Sequence, residues 1–119
     1  MTDSVLTALR GQAVQITINR PDRRNAINET LCAGIAAAID AAEADPAVRA
    51  IVLTGAGDQV FCAGGDLKPS ADGSPFALDP AELNHYVVKL FRRMQACRLP
   101  LIARVNGNAM AGGLGIVCA

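Results

Sequence analysis

Two glycine pairs, Gly64-Gly65 and Gly112-Gly113, are the first residues in this chain whose type and spacing could serve chemistry. Each pair follows an apolar run typical of a buried strand, and parallel neighbouring strands would bring both glycine-rich turns to one edge of a sheet. Glycine leaves backbone N–H groups unshielded by side chains. Two such groups converging on one point would form an oxyanion hole, which stabilises negative charge on a substrate oxygen. From spacing alone, the alternative that these glycines serve only turns and close packing stays open.

Other catalytic and binding signatures are incomplete in the sequence. The dinucleotide motif G-x-G-x-x-G fails after Gly55 and again after Gly113, and neither a P-loop nor a G-x-S-x-G nucleophile elbow occurs. The single histidine, His85, is expected inside a helix and is interpreted as a helix-surface or core-edge residue. The four cysteines show no C-x-x-C spacing, so we expect no metal site and mostly structural, reduced thiols.

Composition and charge restrict the classes of partner. Eleven Lys and Arg residues balance eleven Asp and Glu residues, which argues against a nucleic-acid or anionic-membrane partner. No apolar run reaches the roughly 20 residues that span a bilayer, and the N-terminus, with acidic Asp3, does not resemble a signal peptide. A soluble cytoplasmic protein is therefore expected. Because 51% of the residues are hydrophobic but only 3% aromatic, its single core must consist of small and branched aliphatic side chains.

The elements that must position the glycines alternate between strands and helices. Asn28 is a good N-cap for an amphipathic helix, and Asp79–Glu82 forms a capping box for another. The predicted elements are a hairpin of strands 5–9 and 13–18, a helix over 29–45, a buried strand over 49–54, a helix ending near Arg98, a buried strand over 101–105, and a helix beginning after Asn106-Gly107. This order predicts an α/β fold with parallel strands joined by helices.

Four segments of the chain resemble the N-terminal half of the crotonase superfamily, which comprises enoyl-CoA hydratases and isomerases. They are Asn19-Arg20-Pro21 with Asn25-Ala26, Val52–Gly55, Phe61–Leu67 and Ile102–Gly113. The resemblance implies a crotonase-like ββα spiral, usually assembled as trimers or paired trimers. The apolar run Leu114–Ala119 carries no helix stop signal. We therefore expect residues 1–119 to form the N-terminal part of a single domain, incomplete at the C-terminus and completed by a further segment.

The resemblance also implies which residues act. The substrate would be an acyl-CoA thioester, whose oxygen would accept hydrogen bonds from the backbone amides of Gly65 and Gly112. The residues implied to line the coenzyme A groove are Arg24, Ala26, Ala63, Gly65, Asp66, Leu67 and Lys68. Coenzyme A would enter as part of the substrate, with no permanently bound cofactor. For Asp66 a second interpretation is open, in which the carboxylate orders its own loop.

The sequence departs from the resembled family at one position that matters for the reaction. Hydratases of the best-known type carry a glutamate three positions after the second oxyanion-hole glycine, and this chain has Gly115 there. The family's second catalytic carboxylate lies beyond residue 119. An enzyme of hydratase or isomerase type and a non-catalytic acyl-CoA- or protein-binding module therefore both stay open. Phe76, Tyr86 and Phe91 are candidates for the wall of an acyl pocket.

Overall fold

The computed structural model describes residues 3–66 and 85–119, which form an α/β arrangement as predicted. Its elements are strands β1 (Val5–Arg10) and β2 (Ala13–Ile18), a short 3-10 turn (Pro21–Arg23), helix α1 (Glu29–Ala44), strands β3 (Ala50–Gly55) and β4 (Val60–Cys62), helix α2 (Tyr86–Gln95), strands β5 (Leu101–Arg104) and β6 (Asn108–Ala109), and helix α3 (Gly112–Cys118). The predicted capping box Asp79–Glu82, and Leu67, Lys68 and Phe76, lie outside the described residues.

A four-stranded main sheet packs one face against helix α1 to form part of the core. Its strand order is β1-β2-β3-β5, in which β1 and β2 form the predicted antiparallel hairpin and β3 runs parallel to both β2 and β5. Parallel neighbours require a crossover connection, which α1 supplies between β2 and β3. One face of the sheet contributes Ile16, Ile18, Ile51 and Leu53 to the same apolar cluster as the buried side chains of α1.

Helix α1 forms because its sequence supplies both a cap and an apolar stripe. The Asn28 side chain accepts a hydrogen bond from the Leu31 backbone N–H at 2.8 Å, which satisfies a donor that the first turn leaves unpaired. Leu31, Ile35 and Ile39 recur at helical spacing and are fully buried. Both the predicted cap and the predicted stripe are therefore confirmed.

Helix α2 departs from the sequence prediction at His85 and at its C-terminus. His85 is not inside the helix but at its N-cap, where its Nδ1 accepts a hydrogen bond from the Val87 backbone N–H at 3.2 Å. The helix ends at Gln95 rather than near Arg98, because the chain turns there and the Cys97 N–H donates to the Met94 carbonyl at 3.2 Å. Neither boundary of α2 has a strong sequence signal. At the N-terminus histidine is a rare cap, and at the C-terminus the chain turns without a glycine.

A second, two-stranded parallel sheet of β4 and β6 was not predicted. The Asn108 N–H donates to the Gln59 carbonyl at 3.1 Å, and the Met110 N–H donates to the Cys62 carbonyl at 3.0 Å. Strands of three and two residues surrounded by glycine are too short to show an alternating pattern, so the sequence reads there as loop. This small sheet leads directly into both glycine pairs.

An ion-pair cluster joins the end of α1 to the end of α2. The Glu43 carboxylate accepts hydrogen bonds from the Arg93 guanidinium and, at 3.0 Å and 3.2 Å, from Nε and the backbone N–H of Arg98. Arg93 also pairs with Asp40 at 2.8 Å. The hydrogen bond from Arg93, followed by that from the backbone of Arg98, lowers the pKa of Glu43 to about 2.

Glu43→Gln is expected to lower the thermal unfolding midpoint at neutral pH, because glutamine keeps the shape of the side chain but loses the charge that faces Arg93. A carboxyl whose pKa is lowered on folding stabilises the protein above its unfolded-state pKa of about 4.5, and this stabilisation is lost as the pH falls towards about 2. The difference in unfolding midpoint between wild type and variant should therefore shrink over that pH range.

The matched control is Asp58→Asn, which neutralises an exposed carboxylate that has no ion-pair partner among the described residues. A difference between wild type and Glu43→Gln that stays constant from neutral to acidic pH would contradict the role assigned to Glu43.

Candidate active site

The two glycine-rich turns meet where the small sheet ends. Ala63-Gly64-Gly65 follows β4 and Met110–Gly112 follows β6, and the two strands are paired in parallel. A Cβ atom built on Gly64 would lie 3.0 Å from the Ala111 Cβ and 3.4 Å from the Gly112 nitrogen. The two turns are therefore in van der Waals contact, and the pairing of β4 with β6 is what brings them together.

The backbone amide of Gly65 faces away from the segment that fixes its turn. The Ile27 N–H donates to the Gly64 carbonyl at 2.7 Å, and the Asp66 N–H donates to the Ile27 carbonyl at 2.9 Å. Because a trans peptide directs its C=O and N–H to opposite sides, the Gly65 N–H points away from Ile27. Within residues 3–66 and 85–119 it has no hydrogen-bond acceptor.

The amide of Gly112 is also an unused donor within the described part of the chain. Gly112 is the first residue of α3, and its N–H has no acceptor there, whereas the Gly113 N–H donates to the Met110 carbonyl at 2.8 Å. Ala111 precedes it with a φ of 49° and a ψ of −121°, a conformation that side-chain-bearing residues rarely adopt. The strained residue directs the start of α3 towards the Gly64 turn.

Two glycines make this close approach possible. Gly64 has a φ of 102°, which lies in the region that only glycine enters freely. A Cβ on Gly113 would lie 2.1 Å from the Cys62 carbonyl oxygen, far inside contact distance, and a backbone atom cannot move aside cheaply. Any side chain at position 113 would therefore separate α3 from β4.

Asn25 holds the turn between β3 and β4 from one side. It is buried and adopts a φ of 55°, a conformation that asparagine tolerates better than most residues. Its Oδ1 accepts a hydrogen bond from the Arg20 backbone N–H at 2.9 Å. Its Nδ2 donates to the carbonyls of Ala56 at 3.2 Å and Val60 at 2.9 Å. One side chain thus ties the loop after β2 to both ends of the next turn.

Asn106 holds the same turn from the other side. Its Oδ1 accepts a hydrogen bond from the Gly55 N–H at 2.9 Å. Its Nδ2 donates to the carbonyls of Gly57 at 2.9 Å and Val60 at 3.2 Å. Sequence reasoning used Asn25 as a carrier of the resemblance and Asn106 also as part of a turn before a helix, because no local pattern shows that positions so far apart share one turn.

The residues expected to line the coenzyme A groove divide into two groups. Arg24 and Ala63 line a cavity of about 560 Å³, and the Ala63 N–H donates to the Arg24 carbonyl at 3.1 Å. Ala26, Gly65 and Asp66 do not line this cavity: Ala26 is buried, and Asp66 forms an ion pair with Arg20 at 2.9 Å. The reason is that segments 24–27 and 63–66 pair with each other through their backbones.

Charge in this cavity is mixed. Arg24 lines it together with the carboxylates of Asp22 and Asp58. No group of three or more His, Cys, Asp or Glu residues suited to a metal ion occurs among the described residues. The cavity therefore presents one cation and two anions. The described residues that line it include no group of side chains suited to a metal ion.

Position 115 faces an aromatic ring instead of an open space. A Cβ on Gly115 would lie 2.9 Å from Cζ of Phe91, so any side chain there must displace that ring. Phe91 is partly buried against the core, where it connects α2 to α3. Nearby Tyr86 also packs against the core, and burial raises its pKa, with further contributions from Cys32, Glu29 and Asp66. At position 115, the Phe91 ring thus occupies the space that a glutamate side chain would need.

Asn106→Ala is expected to lower the free energy of unfolding by about 1–3 kcal/mol, the usual cost of leaving polar backbone groups without partners. The variant leaves the N–H of buried Gly55 without its acceptor, whereas the exposed Gly57 carbonyl can bond to water. Urea-induced unfolding monitored by far-UV circular dichroism measures the change. Asn108→Ala is the control, since the exposed Asn108 contributes only its backbone to β6. Equal stability of the two variants would show that Asn106 does not hold the turn.

Comparison with known proteins assigns the chain to a family. Residues 10–119 match the family model described as enoyl-CoA hydratase/isomerase. A probable enoyl-CoA hydratase of Mycobacterium tuberculosis is 43% identical over 117 residues, which cover 98% of this chain and 44% of that protein. A crotonyl-CoA hydratase of Syntrophomonas wolfei is 40% identical over 96 residues, covering 81% of this chain and 36% of that protein.

A solved structure agrees with these matches. The crystal structure of an enoyl-CoA hydratase/isomerase from Xanthobacter autotrophicus superimposes with a TM-score of 0.77 at 32% identity, covering 95% of this chain and 42% of that one. The chain thus spans less than half the length of each of these three proteins. Among the described residues, no helix is both long enough and apolar enough to cross a membrane.

Proposed function

The chain belongs to the enoyl-CoA hydratase/isomerase family, and on that premise we propose that it acts on acyl-CoA thioesters by binding the thioester oxygen between the amides of Gly65 and Gly112. The observation that supports this most strongly is that two backbone N–H groups without acceptors among the described residues lie on turns in van der Waals contact. Gly65 and Gly112 are both half-buried, so their N–H groups are accessible, and one substrate oxygen could accept hydrogen bonds from both.

The proposed chemistry follows from where charge develops. Adding water across an α,β-unsaturated thioester, or moving its double bond, builds enolate charge on the thioester oxygen. Amides already aimed at that oxygen stabilise the charged transition state more than the neutral carbonyl, and each such donor is worth about a hundredfold to a thousandfold in rate. Proton transfer requires a separate acid and base. Because position 115 is glycine, we assign neither role to a described residue.

The coenzyme A end of the substrate is proposed to occupy the cavity beside Arg24 and Ala63. A phosphate group needs a cation, and Arg24 supplies one with a fork of donors suited to it. Asp22 and Asp58 would repel a phosphate placed against them. The phosphates are therefore expected on the Arg24 side, with the uncharged parts of coenzyme A next to the two carboxylates. Assembly as a trimer or paired trimers and a cytoplasmic location remain predictions.

A second candidate is a module that binds acyl-CoA without turning it over. The contact between Gly115 and the Phe91 ring favours it, because this position lacks a carboxylate and has no room for one unless Phe91 moves. The two candidates share the same groove and differ only in proton transfer. Both therefore predict acyl-CoA binding, and only the enzyme predicts a change in the bound substrate.

Loss of conjugated absorbance from a short-chain trans-2-enoyl-CoA separates these candidates when measured on the intact protein. Turnover supports the enzyme. The module is supported if calorimetry detects binding of both the trans-2-enoyl-CoA and the isomer with its double bond at another position, and neither compound is turned over. Neither binding nor turnover with any acyl-CoA would overturn the proposed function as a whole.

Gly65→Pro is expected to lower turnover by about a hundredfold to a thousandfold, because proline has no N–H to donate. The fold should survive, since this N–H bonds no described acceptor and Gly65 does not have a positive φ. Gly65→Ala is the matched control because it adds a Cβ but keeps the donor. A Gly65→Pro variant with the same turnover as Gly65→Ala would remove the amide from the mechanism.

A further inference from the structure

An ion pair joins the residue that follows Gly65 to the loop after β2. Nη2 of Arg20 is 2.9 Å from Oδ2 of Asp66, and the two side chains are only 12% and 13% exposed. Nη1 of the same guanidinium donates to the Ala26 carbonyl. Asp66 is the residue after Gly65, so its carboxylate is attached to the turn that carries the proposed oxyanion donor.

A carboxylate in this place works against the proposed reaction. Negative charge gathers on the thioester oxygen as the enolate forms, and a second negative charge in a poorly solvated setting repels it. The chain nevertheless keeps an acidic residue at position 66. Its carboxylate faces the positively charged guanidinium of Arg20, which offers a rigid fork of donors.

The charges of Arg20 and Asp66 affect the pKa values of two nearby side chains. Asp66 is among the causes that raise the pKa of Tyr86 on α2, after burial, Cys32 and Glu29. Burial raises the pKa of the Cys62 thiol on β4, while the Gly64 N–H and then the positive charge of Arg20 act in the opposite direction. Asp66 thus influences a group on α2, and Arg20 influences a group on β4, the strand that leads into the Gly64-Gly65 turn.

We propose that Arg20 is a positioning residue that neutralises Asp66 and holds the Gly65 turn to Ala26, so that the carboxylate does not oppose negative charge on the substrate oxygen. The proposal rests on the proposed function of Gly65 as a donor. A purely structural ion pair would require only the bond between the two side chains. The proposed role also requires that a negative charge at residue 66 affect the substrate oxygen.

The readout is the polarisation of a bound thioester carbonyl, which needs no turnover. Hydrogen bonds to the carbonyl oxygen of p-dimethylaminocinnamoyl-CoA stabilise its charge-separated excited state and shift its absorbance to longer wavelength. The intact protein is saturated with this probe, and the shift and the dissociation constant are measured for wild type, Arg20→Gln, Arg20→Lys, Asp66→Asn and the double variant Arg20→Gln/Asp66→Asn.

We expect Arg20→Gln to reduce the red shift, because it leaves the carboxylate of Asp66 without its arginine. Arg20→Lys, which keeps the charge but not the fork, should retain more of the shift. The double variant should recover the shift to the level of Asp66→Asn, since the charge to be neutralised is gone. In turnover, the loss for Arg20→Gln should be about tenfold or more. Arg49→Gln, the same change at an exposed arginine, is the matched control.

Two results would overturn the proposal. One is equal loss of the red shift in Arg20→Gln, Asp66→Asn and the double variant, which a merely structural bond predicts. The other is an unchanged shift in folded Arg20→Gln. If Arg20→Gln does not fold, the double variant is compared with Asp66→Asn instead. A folded double variant that has lost the red shift, while Asp66→Asn retains it, also overturns the proposal. No red shift in saturated wild type would instead count against the donor role of Gly65 itself.

Discussion

The polar backbone of the turn between β3 and β4 is satisfied largely by two asparagine side chains, and the arrangement of both glycine pairs depends on this. Asn25 and Asn106 approach from opposite sides and both donate to the Val60 carbonyl. They meet at Gly55, where a Cβ would lie 2.9 Å from each side-chain amide. Because buried N–H and C=O groups must be paired, this turn has one favourable course. That course directs β4 alongside β6.

Small residues set how closely the elements of the site approach. Gly113 lets α3 start against the Cys62 carbonyl, and Gly115 leaves room for the Phe91 ring. A low aromatic content is consistent with this, since few large side chains hold the backbones apart. What the chain presents at its proposed site is therefore main chain rather than side chain. Backbone donors are fixed by the fold itself and need no reorganisation when charge develops.

Family membership and geometry contribute different parts of the functional picture. The family relates the chain to enoyl-CoA hydratases and isomerases, while the geometry supplies two amides without acceptors among the described residues, a cavity beside Arg24 and an ion pair between Asp66 and Arg20. Neither supplies the acid or base, because position 115 is glycine and packs against Phe91. The division is physically reasonable, since stabilising an oxyanion and moving a proton are separate tasks that need different groups.

Patterns within about 15 residues were enough to predict the hairpin, the Asn28 cap and apolar stripe of α1, and the buried strand around Val52. The strand at 101–105 was predicted in the right place but wrongly as buried, because no residue of β5 is fully buried and Ile102 is 50% exposed. The glycine pairs and the family resemblance were equally visible. Only the tertiary structure decided that β4 and β6 pair, that Asn25 and Asn106 share one turn, and that Asp66 faces Arg20 instead of the cavity. These contacts join residues about 30 to 50 positions apart, and their partners are chosen by packing that no local pattern encodes.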